Sequence, residues 1–247
     1  YGTIVNSAYG IAMQVSGAVQ FVSTSIVNAM NPQIMKAEGA GERQKMIRLC
    51  AYESKYAFLL LAMVVIPLIA EMETILHVWL GEVPVHAVMF CRFILIAALC
   101  DQISIGWTSA NQAIGKIRTY SIIFYTLKLF VIFIAWWCLQ EGLPIISVMW
   151  GYVAIEFIGS FVRLPLMKHI ANVPITPFFK NVFLRIIGPL ATMVVVCYSS
   201  AILIDIPYRL ILTFSCSLVV GVLSIWGFAL NIEEKQYVKN IIKKLKK

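Results

Sequence analysis

The sequence predicts an all-α integral membrane protein with about seven transmembrane helices. Of its 247 residues, 60% are hydrophobic and 13% are charged, and the mean hydropathy is +0.85. An ordinary soluble domain carries about 25% charged residues, so that class does not fit. The apolar residues fall into seven runs, and each is near the roughly 20 residues that a helix needs to cross a bilayer.

Helix-ending residues separate the seven runs in chain order. The dipeptide Asn31-Pro32 follows the first run, and Gly115 follows the third. Pro67 and Pro189 lie inside runs, where neighbouring helices are expected to bind the carbonyl groups that proline leaves free. The predicted spans cover residues 3–30, 55–79, 88–112, 118–139, 145–166, 185–204 and 209–230.

The basic residues lie almost entirely on one side of these spans. The loop over residues 31–55, the turn over residues 116–118, the stretch over 163–185 and the tail hold 17 of the 20 lysines and arginines. Basic loops face the cytoplasm, so the C-terminus is expected there. Seven spans then put Tyr1 on the outer side. Since the chain starts with Tyr and shows no signal peptide, we expect at least one further helix upstream, in a longer protein.

Three ionisable side chains stand near the middle of different apolar runs: Asp101, Lys128 and Glu156. A charge at bilayer depth is costly and is retained where it lines a cavity or meets a partner. The alternative is a structural ion-pair network that holds three helices in register. Because apolar residues often replace a buried ion pair without loss of stability, the retained charges favour a cavity.

Polar residues recur at steps of three and four along the same spans, which keeps them on one helix face. In the first span they include Gln14, Gln20 and Asn28, and in the third Asn111 follows Asp101. We predict that spans one, three, four and five surround a hydrated cavity, and that spans six and seven stand outside it. Small residues at such spacing in the first span are equally typical of close helix packing.

The remaining segments divide the chain into four parts: residues 1–169 with the cavity, an interfacial linker over 170–185, two peripheral spans over 186–230, and a basic amphipathic tail over 231–247. In the tail, Val238, Ile241, Ile242 and Leu245 share one face and lysines the other, which is typical of a segment lying on anionic lipid.

Enzymatic and nucleic-acid-binding functions find no support in the sequence. It contains no HExxH, GxSxG or Walker A motif and no C-x-x-C pair, so it indicates neither an enzyme nor a metal or redox site. The net charge of +8 comes from short clusters between apolar runs, without the interleaved aromatics of a nucleic-acid surface. We expect no cofactor, apart from coupling to protons or a monovalent cation.

Four short segments resemble one transporter family. They read NAMNPQIMKAEGAGE at 28–42, ILHVWLGEVP at 75–84, FCRFILIAAL at 90–99 and NQAIGKIRTY at 111–120. In this order they resemble the O-antigen type of polysaccharide flippase, of the multidrug/oligosaccharidyl-lipid/polysaccharide (MATE-like) superfamily. The resemblance covers about 170 residues, and the last 80 agree in hydropathy only.

The resemblance implies a two-lobed helical bundle of which this chain is the C-terminal half, the second lobe plus two peripheral helices. It also implies a function in the bacterial inner membrane, where such proteins carry an undecaprenyl-pyrophosphate-linked oligosaccharide to the outer leaflet by alternating access. The N-terminal lobe is then the protein partner, and the fragment alone is expected to be inactive.

The candidate site residues come from the pattern of this chain, since the family has no fixed charged motif to carry over. We expect Lys128, with Arg92 toward the outer side and Arg163 toward the inner, to contact a pyrophosphate or an acidic sugar. Asp101 and Glu156 hold Lys128 when the cavity is empty, or take up the coupled ion. The amide side chains expected to contact sugar hydroxyls are Gln14, Gln20, Asn28 and Asn111.

Three other functions stay open at this point. A multidrug or cation exporter of the same superfamily has the same architecture. A seven-helix receptor or light sensor fits a topology with the N-terminus outside and the C-terminus in the cytoplasm. The last predicted span of this chain, however, has no lysine for a retinal Schiff base. A membrane-embedded glycan-modifying enzyme needs an acid/base pair that a single sequence does not identify.

Overall fold

The computed structural model describes residues 2–173, 175–203 and 209–245, and within these ranges it is helical with no strand. The helices are α1 (Gly2–Gly39), α2 (Arg43–Ala70), α3 (Met72–Leu80), α4 (Ala87–Gln102), α5 (Gly106–Ile114), α6 (Ile117–Gln140), α7 (Ile145–Ala171), α8 (Ile175–Phe178), α9 (Leu184–Leu203), α10 (Arg209–Ser224) and α11 (Ile232–Leu245). Among the described residues, six spans are long and apolar enough to cross a membrane, or seven if the bent pair α4–α5 counts as one. The predicted all-α, multi-pass architecture agrees with these helices.

The first two helices are longer than their apolar runs. The helix α1 continues through Pro32 to Gly39, and α2 begins at Arg43, so the predicted end at Asn31 and the predicted loop over 31–55 are wrong. A turn over residues 40–42 joins them, with Gly41 at a φ of +75° that glycine adopts without strain. Hydropathy measures the apolar length of a helix, and it misses polar turns that extend beyond it.

The predicted second span is divided at Glu71 into α2 and α3. Inside α2, Pro67 has no N–H to donate to the carbonyl of Met63, four residues earlier. The Ser217 hydroxyl of α10 donates a hydrogen bond to that carbonyl at 3.4 Å. A neighbouring helix therefore satisfies the freed carbonyl, as the sequence analysis expects for Pro67.

The predicted third span is bent by 48° between α4 and α5. At the break, the backbone N–H of Gly106 donates to the Ser54 hydroxyl at 2.9 Å, and the Ser160 hydroxyl donates to the carbonyl of Cys100. A Cβ at position 106 would collide with the carbonyl of Cys50 on α2. Helices α2 and α7 thus bind the backbone groups that the bend frees, which makes the bend compatible with a membrane interior.

The sixth apolar span starts at Ile175 with α8, whereas the sequence predicts a span from residue 185 after an interfacial linker. Residues 175–203 are continuously helical, with a π-helical turn at Phe179–Phe183 that widens the helix between α8 and α9. A second π turn, Ile225–Ala229, ends α10 before α11 begins.

The central helix of the bundle is α2. One side of it packs against α1, α4 and α5, and the other side packs against α9 and α10, which also pack on each other. Beyond α4 lies α7, and α6 packs on α7. Apolar side chains such as Leu61, Val65 and Leu95 fill the space between α2 and α4. Helices α9 and α10 thus pack on α2, and the π turn before α9 also contacts α7, where the ring centroids of Phe183 and Phe161 lie 5.6 Å apart.

The tail makes a contact that its sequence does not suggest. Lys55, which the sequence places in a loop, belongs to α2, and its side chain is buried. Its Nζ lies 2.5 Å from Oε1 of Glu234 in α11. The helical form of residues 232–245 agrees with the predicted amphipathic tail. Asp205 and Pro207, and the side chains of Val238, Ile241, Ile242 and Leu245, lie outside the described residues.

Candidate functional site

The three charges of the predicted cavity meet in the structure, although they come from three helices. Nζ of Lys128 on α6 lies 3.0 Å from Oε2 of Glu156 on α7 and 3.8 Å from Oδ1 of Asp101 on α4. The α4–α7 and α6–α7 contacts bring these positions together. The predicted clustering is therefore found, and its part in transport stays a prediction.

A fourth charge completes this group and corrects one assignment. Nη2 of Arg163 lies 2.6 Å from Oδ1 of Asp101, and Nη1 donates to the backbone carbonyl of Asp101 at 2.7 Å and to the Ser104 hydroxyl at 3.3 Å. From the sequence, Arg163 was expected to contact the cargo. In the structure its side chain is only 2% exposed, and its guanidinium is bound to Asp101 on α4. It follows that Arg163 fixes Asp101 and the bend of the α4–α5 pair in this conformation.

We call Asp101, Lys128, Glu156 and Arg163 the charged network. The network has two carboxylates and two cations, so it is neutral in charge when all four groups are ionised. An aromatic ring supports both cations: the centroid of Phe124 lies 4.9 Å from Nζ of Lys128 and 4.4 Å from Cζ of Arg163. Cation–π contacts of this kind stabilise a cation that has lost part of its hydration.

The four side chains differ sharply in exposure, and this decides which of them a ligand reaches. Lys128 is 33% exposed and Asp101 25%, while Glu156 is 7% and Arg163 is 2% exposed. The ammonium of Lys128 is thus the accessible cation of the network. Its most accessible counter-charge is the carboxylate of Asp101.

The network borders a cavity of about 280 Å³ between α1, α4, α6 and α7. Its wall is polar on α1 and charged on the other three helices. The lining residues are Ser16, Gln20, Ser23, Thr24, Ile94, Ala97, Ala98, Asp101, Gln102, Ile105, Lys128, Tyr152 and Glu156. These are residues of predicted spans one, three, four and five, and among the described residues none comes from α9 or α10.

The predicted amide contacts do not all lie in this cavity. Gln20 lines it and donates from Nε2 to the Ser16 hydroxyl at 3.2 Å. Gln14 and Asn28 are exposed on α1 but are not part of the lining. Asn111 is buried on α5, where its Oδ1 has no hydrogen-bond partner among the described residues. Of the four amides, Gln20 alone joins the cavity wall in this conformation.

Arg92 is also separate from the network. Its Nε donates to the carbonyl of Ile69 at 3.1 Å, near the end of α2. Nine residues separate it from Asp101 on α4, which is about 14 Å along a helix. It lines a different pocket, shared with Glu73, His77 and Arg209. This placement does not fit contact with the same ligand group as Lys128, and the position of Arg92 toward the outer side stays a prediction.

Local sequence explains how α6 and α7 approach each other at the network. A Cβ at Gly159 would lie 3.3 Å from the ring of Phe124, tighter than an ordinary contact, and a Cβ at Gly151 would press on Ile134. Glycine at these two positions lets α6 pack closely on α7. The close packing brings Lys128 within reach of Glu156.

Two further polar clusters escaped the sequence analysis. The buried carboxylate of Glu53 on α2 accepts a hydrogen bond from the Ser109 hydroxyl at 2.8 Å. The Nε and Nη2 atoms of Arg209 bind the buried carboxylate of Glu71 at 3.1–3.2 Å, and Thr213 donates to it at 3.0 Å. Glu53 lies in the predicted loop before the second span, and Glu71 lies within that span, so neither stands out as part of a polar cluster until the packing of α2 is known.

No group of three or more His, Cys, Asp or Glu side chains in the described ranges is placed to hold a metal ion. All six cysteines are unpaired thiols. Comparisons with protein-family models, with curated proteins and with solved structures find no match to this chain.

Proposed function

We propose that this chain is part of a flippase that moves a lipid-linked oligosaccharide repeat unit across the bacterial inner membrane for surface polysaccharide synthesis. The observation that carries the proposal is the position of Lys128, a partly exposed cation at the wall of a polar cavity between apolar helices. A cation in such a place suits an anionic cargo group such as a pyrophosphate.

Binding would proceed by exchange of partners at Lys128. A pyrophosphate oxygen replaces the carboxylates of Asp101 and Glu156 around its ammonium, while Arg163 keeps Asp101 paired through the 2.6 Å contact. Glu156, nearly buried, then loses its counter-charge, which is unfavourable in an apolar environment. Uptake of a proton or a monovalent cation at Glu156 restores neutrality, and this links cargo binding to the coupling ion.

The exposed polar face of α1 supports a helical partner in the membrane. Asn6, Gln14 and Asn28 are exposed on this helix, which also lines the cavity through Ser16 and Gln20. Amide side chains are not stable against lipid tails and find partners on other helices. We propose that the N-terminal lobe of the same protein covers this face, and that cargo passes between the two lobes by alternating access.

The proposed location is the inner membrane with the C-terminus in the cytoplasm. The basic ends of α1, α2, α7 and α11 support this orientation through the excess of lysine and arginine in cytoplasmic segments. A fusion of a cytoplasm-active reporter to the C-terminus would be active if this orientation is right, and inactive if it is reversed.

Deletion of the complete gene tests the function. We expect lipid-linked repeat units to accumulate and surface polysaccharide to disappear, and the wild-type gene to restore both. A Lys128→Ala gene should not restore them, whereas the control Lys168→Ala, which changes a lysine at the end of α7, should. Normal surface polysaccharide after deletion would contradict the proposal.

A multidrug or cation exporter is the second candidate, because two carboxylates of the network, Asp101 and Glu156, also border the cavity. The same deletion strain separates the two functions. Increased sensitivity to cationic drugs, with unchanged surface polysaccharide, would favour the exporter.

A further inference from the structure

The ring of Phe124 contacts both cations of the charged network, Lys128 and Arg163. It lies four residues before Lys128 on α6, so the two side chains share one face of that helix. The Phe124 side chain is 5% exposed, whereas most of α6 is open to the surroundings. Phe124 is therefore part of the inner surface of α6, beside the cation that borders the cavity.

The facing helix leaves room for this ring. Gly159 lies three residues after Glu156 and four before Arg163, so these three residues share one face of α7. A Cβ at Gly159 would lie 3.3 Å from Cε2 of Phe124. With glycine there, the ring packs directly on the backbone of α7, between the positions of the two charged side chains.

A second aromatic ring holds Phe124 in place. The rings of Tyr120 and Phe124 are stacked, with centroids 5.8 Å apart and an angle of 20° between their planes. The Tyr120 hydroxyl forms a hydrogen bond with the Thr108 hydroxyl of α5 at 2.9 Å. The orientation of the Phe124 ring is thus fixed by α5 and α7 together, and it does not depend on Lys128.

An anionic ligand competes with carboxylates for the Lys128 ammonium, but it does not compete with the ring. A phosphate oxygen takes the same N–H donors that Asp101 and Glu156 take, whereas the ring attracts the ammonium through the negative charge of its face. Lysine has a flexible four-carbon stem, and its ammonium moves toward water where nothing holds it. The contact with Phe124 limits this movement while the other partners of Lys128 exchange.

We propose that Phe124 is a positioning residue of the ligand site, and that its ring keeps the Lys128 ammonium at the cavity wall while Asp101 and Glu156 give way to a pyrophosphate or another anionic group. The ring acts through Lys128 and does not touch the ligand. The class of ligand rests on the proposed function, whereas the position of the ammonium does not.

Carbodiimide cross-linking of Lys128 to Asp101 in the complete protein tests the position of the ammonium. The reagent joins an amine to a carboxylate in contact with it, and Nζ of Lys128 lies 3.8 Å from Oδ1 of Asp101. Pentafluorophenylalanine at position 124 retains the shape of the ring but reverses the charge of its face, so it no longer attracts a cation. We expect the yield of this cross-link, measured by mass spectrometry, to fall about fivefold in the fluorinated protein.

Three substitutions complete the series. Phe124→Leu should lower the yield as far as fluorination does, and Phe124→Tyr should retain it. The matched control is Phe130→Leu, which changes an exposed aromatic residue of the same helix that packs on Phe133 and should give the wild-type yield. Fluorination decides the test if Phe124→Leu does not fold, since it retains the packing. An unchanged or higher yield in the fluorinated protein would overturn the proposal.

Calorimetric titration of the same proteins with inorganic pyrophosphate tests the consequence for the ligand. The dissociation constant should rise about fivefold with fluorinated Phe124 and stay unchanged in Phe130→Leu. If Phe124 only filled space, the fluorinated protein would match the wild type in yield and in affinity. A lower yield with unchanged affinity would also overturn the proposal. A wild-type protein that does not bind pyrophosphate would contradict the proposed function, and the cross-link yield alone would then decide the role of Phe124.

Discussion

Two sets of paired charges lie in different parts of the bundle, and they differ in what surrounds them. The Lys55–Glu234 pair is sealed, in the sense that both side chains are buried. The Lys55 ammonium also donates to the carbonyl of Ala229 at 3.4 Å, and Oε2 of Glu234 accepts from the backbone N–H of Asn231 at 2.6 Å. The charged network, in contrast, leaves Lys128 and Asp101 partly open to a cavity.

The difference shows that burial alone does not identify a functional charge. The Lys55 ammonium donates its hydrogen bonds to groups of the protein itself, and these bonds hold the start of α11 against α2. Lys128 has carboxylates at 3.0 and 3.8 Å and a third of its side chain exposed, so a ligand can exchange with those carboxylates. Stability is therefore expected to depend on the sealed pair, and binding on the open one.

The largest effect on stability is expected from Glu234→Gln. It leaves the Lys55 ammonium buried without its counter-charge, which costs about 3–5 kcal/mol of the free energy of unfolding. Denaturation monitored by the loss of folded protein in detergent would measure it. The double variant Lys55→Met/Glu234→Leu should recover most of the loss, because it removes both buried charges. A Glu234→Gln protein as stable as the wild type would contradict the sealed pair.

Arg163→Met should have the next largest effect, about 2–3 kcal/mol, because Asp101 loses its closest ionic partner and the α4–α5 bend loses two hydrogen bonds. The free energy of unfolding in the same assay measures the change. The variant sharpens the comparison within the network itself, since it alters the buried cation and retains the open one. A loss smaller than that of a surface substitution such as Arg118→Gln would show that Arg163 does not fix Asp101.

Gly106→Ala tests the bend on which the network depends. The added Cβ would collide with the carbonyl of Cys50, so α2 and α5 must separate at a cost of about 1–3 kcal/mol. The control is Gly17→Ala on α1, where nothing lies within 4 Å of the new Cβ. The two melting temperatures should move in opposite directions, because alanine favours an open helical position over glycine. Equal shifts would mean that the close approach at Gly106 is not needed.

Lys128→Met should change stability least, by about 1 kcal/mol, because Asp101 retains Arg163 and the nearly buried Glu156, left without its closest cation, takes up a proton and becomes neutral. Unfolding of this variant, measured beside Arg163→Met, gives the contrast between open and buried cations. A loss as large as that of Arg163→Met would make Lys128 a structural residue and would weaken the proposed function.

The helices were largely predictable from sequence because the length of an apolar run depends only on the residues within that run. All seven predicted spans overlap helices of the structure. The errors lie at ends and breaks: α1 runs through Pro32, and α2 begins at Arg43, because polar turns at helix ends carry no hydropathy signal. The division at Glu71 and the bend after Gln102 depend on partners from other helices.

The candidate site was predictable in part, for a physical reason. A lone charge in an apolar run is visible locally, so Asp101, Lys128 and Glu156 stand out. Their pairing with Arg163, and the support of both cations by Phe124, depend on the packing of α4, α6 and α7, which a single sequence does not specify. For the same reason, the sequence does not reveal that Lys55 meets Glu234, 179 residues away.

The central claim is that Lys128 acts on the cargo and not on the fold. The most direct measurement is the transfer of lipid-linked oligosaccharide to the outer leaflet by the complete protein in vesicles, comparing Lys128→Met and Lys128→Arg with wild type at equal amounts of folded protein. We expect transfer to be reduced at least about tenfold in Lys128→Met and largely retained in Lys128→Arg. Wild-type transfer by Lys128→Met would contradict it.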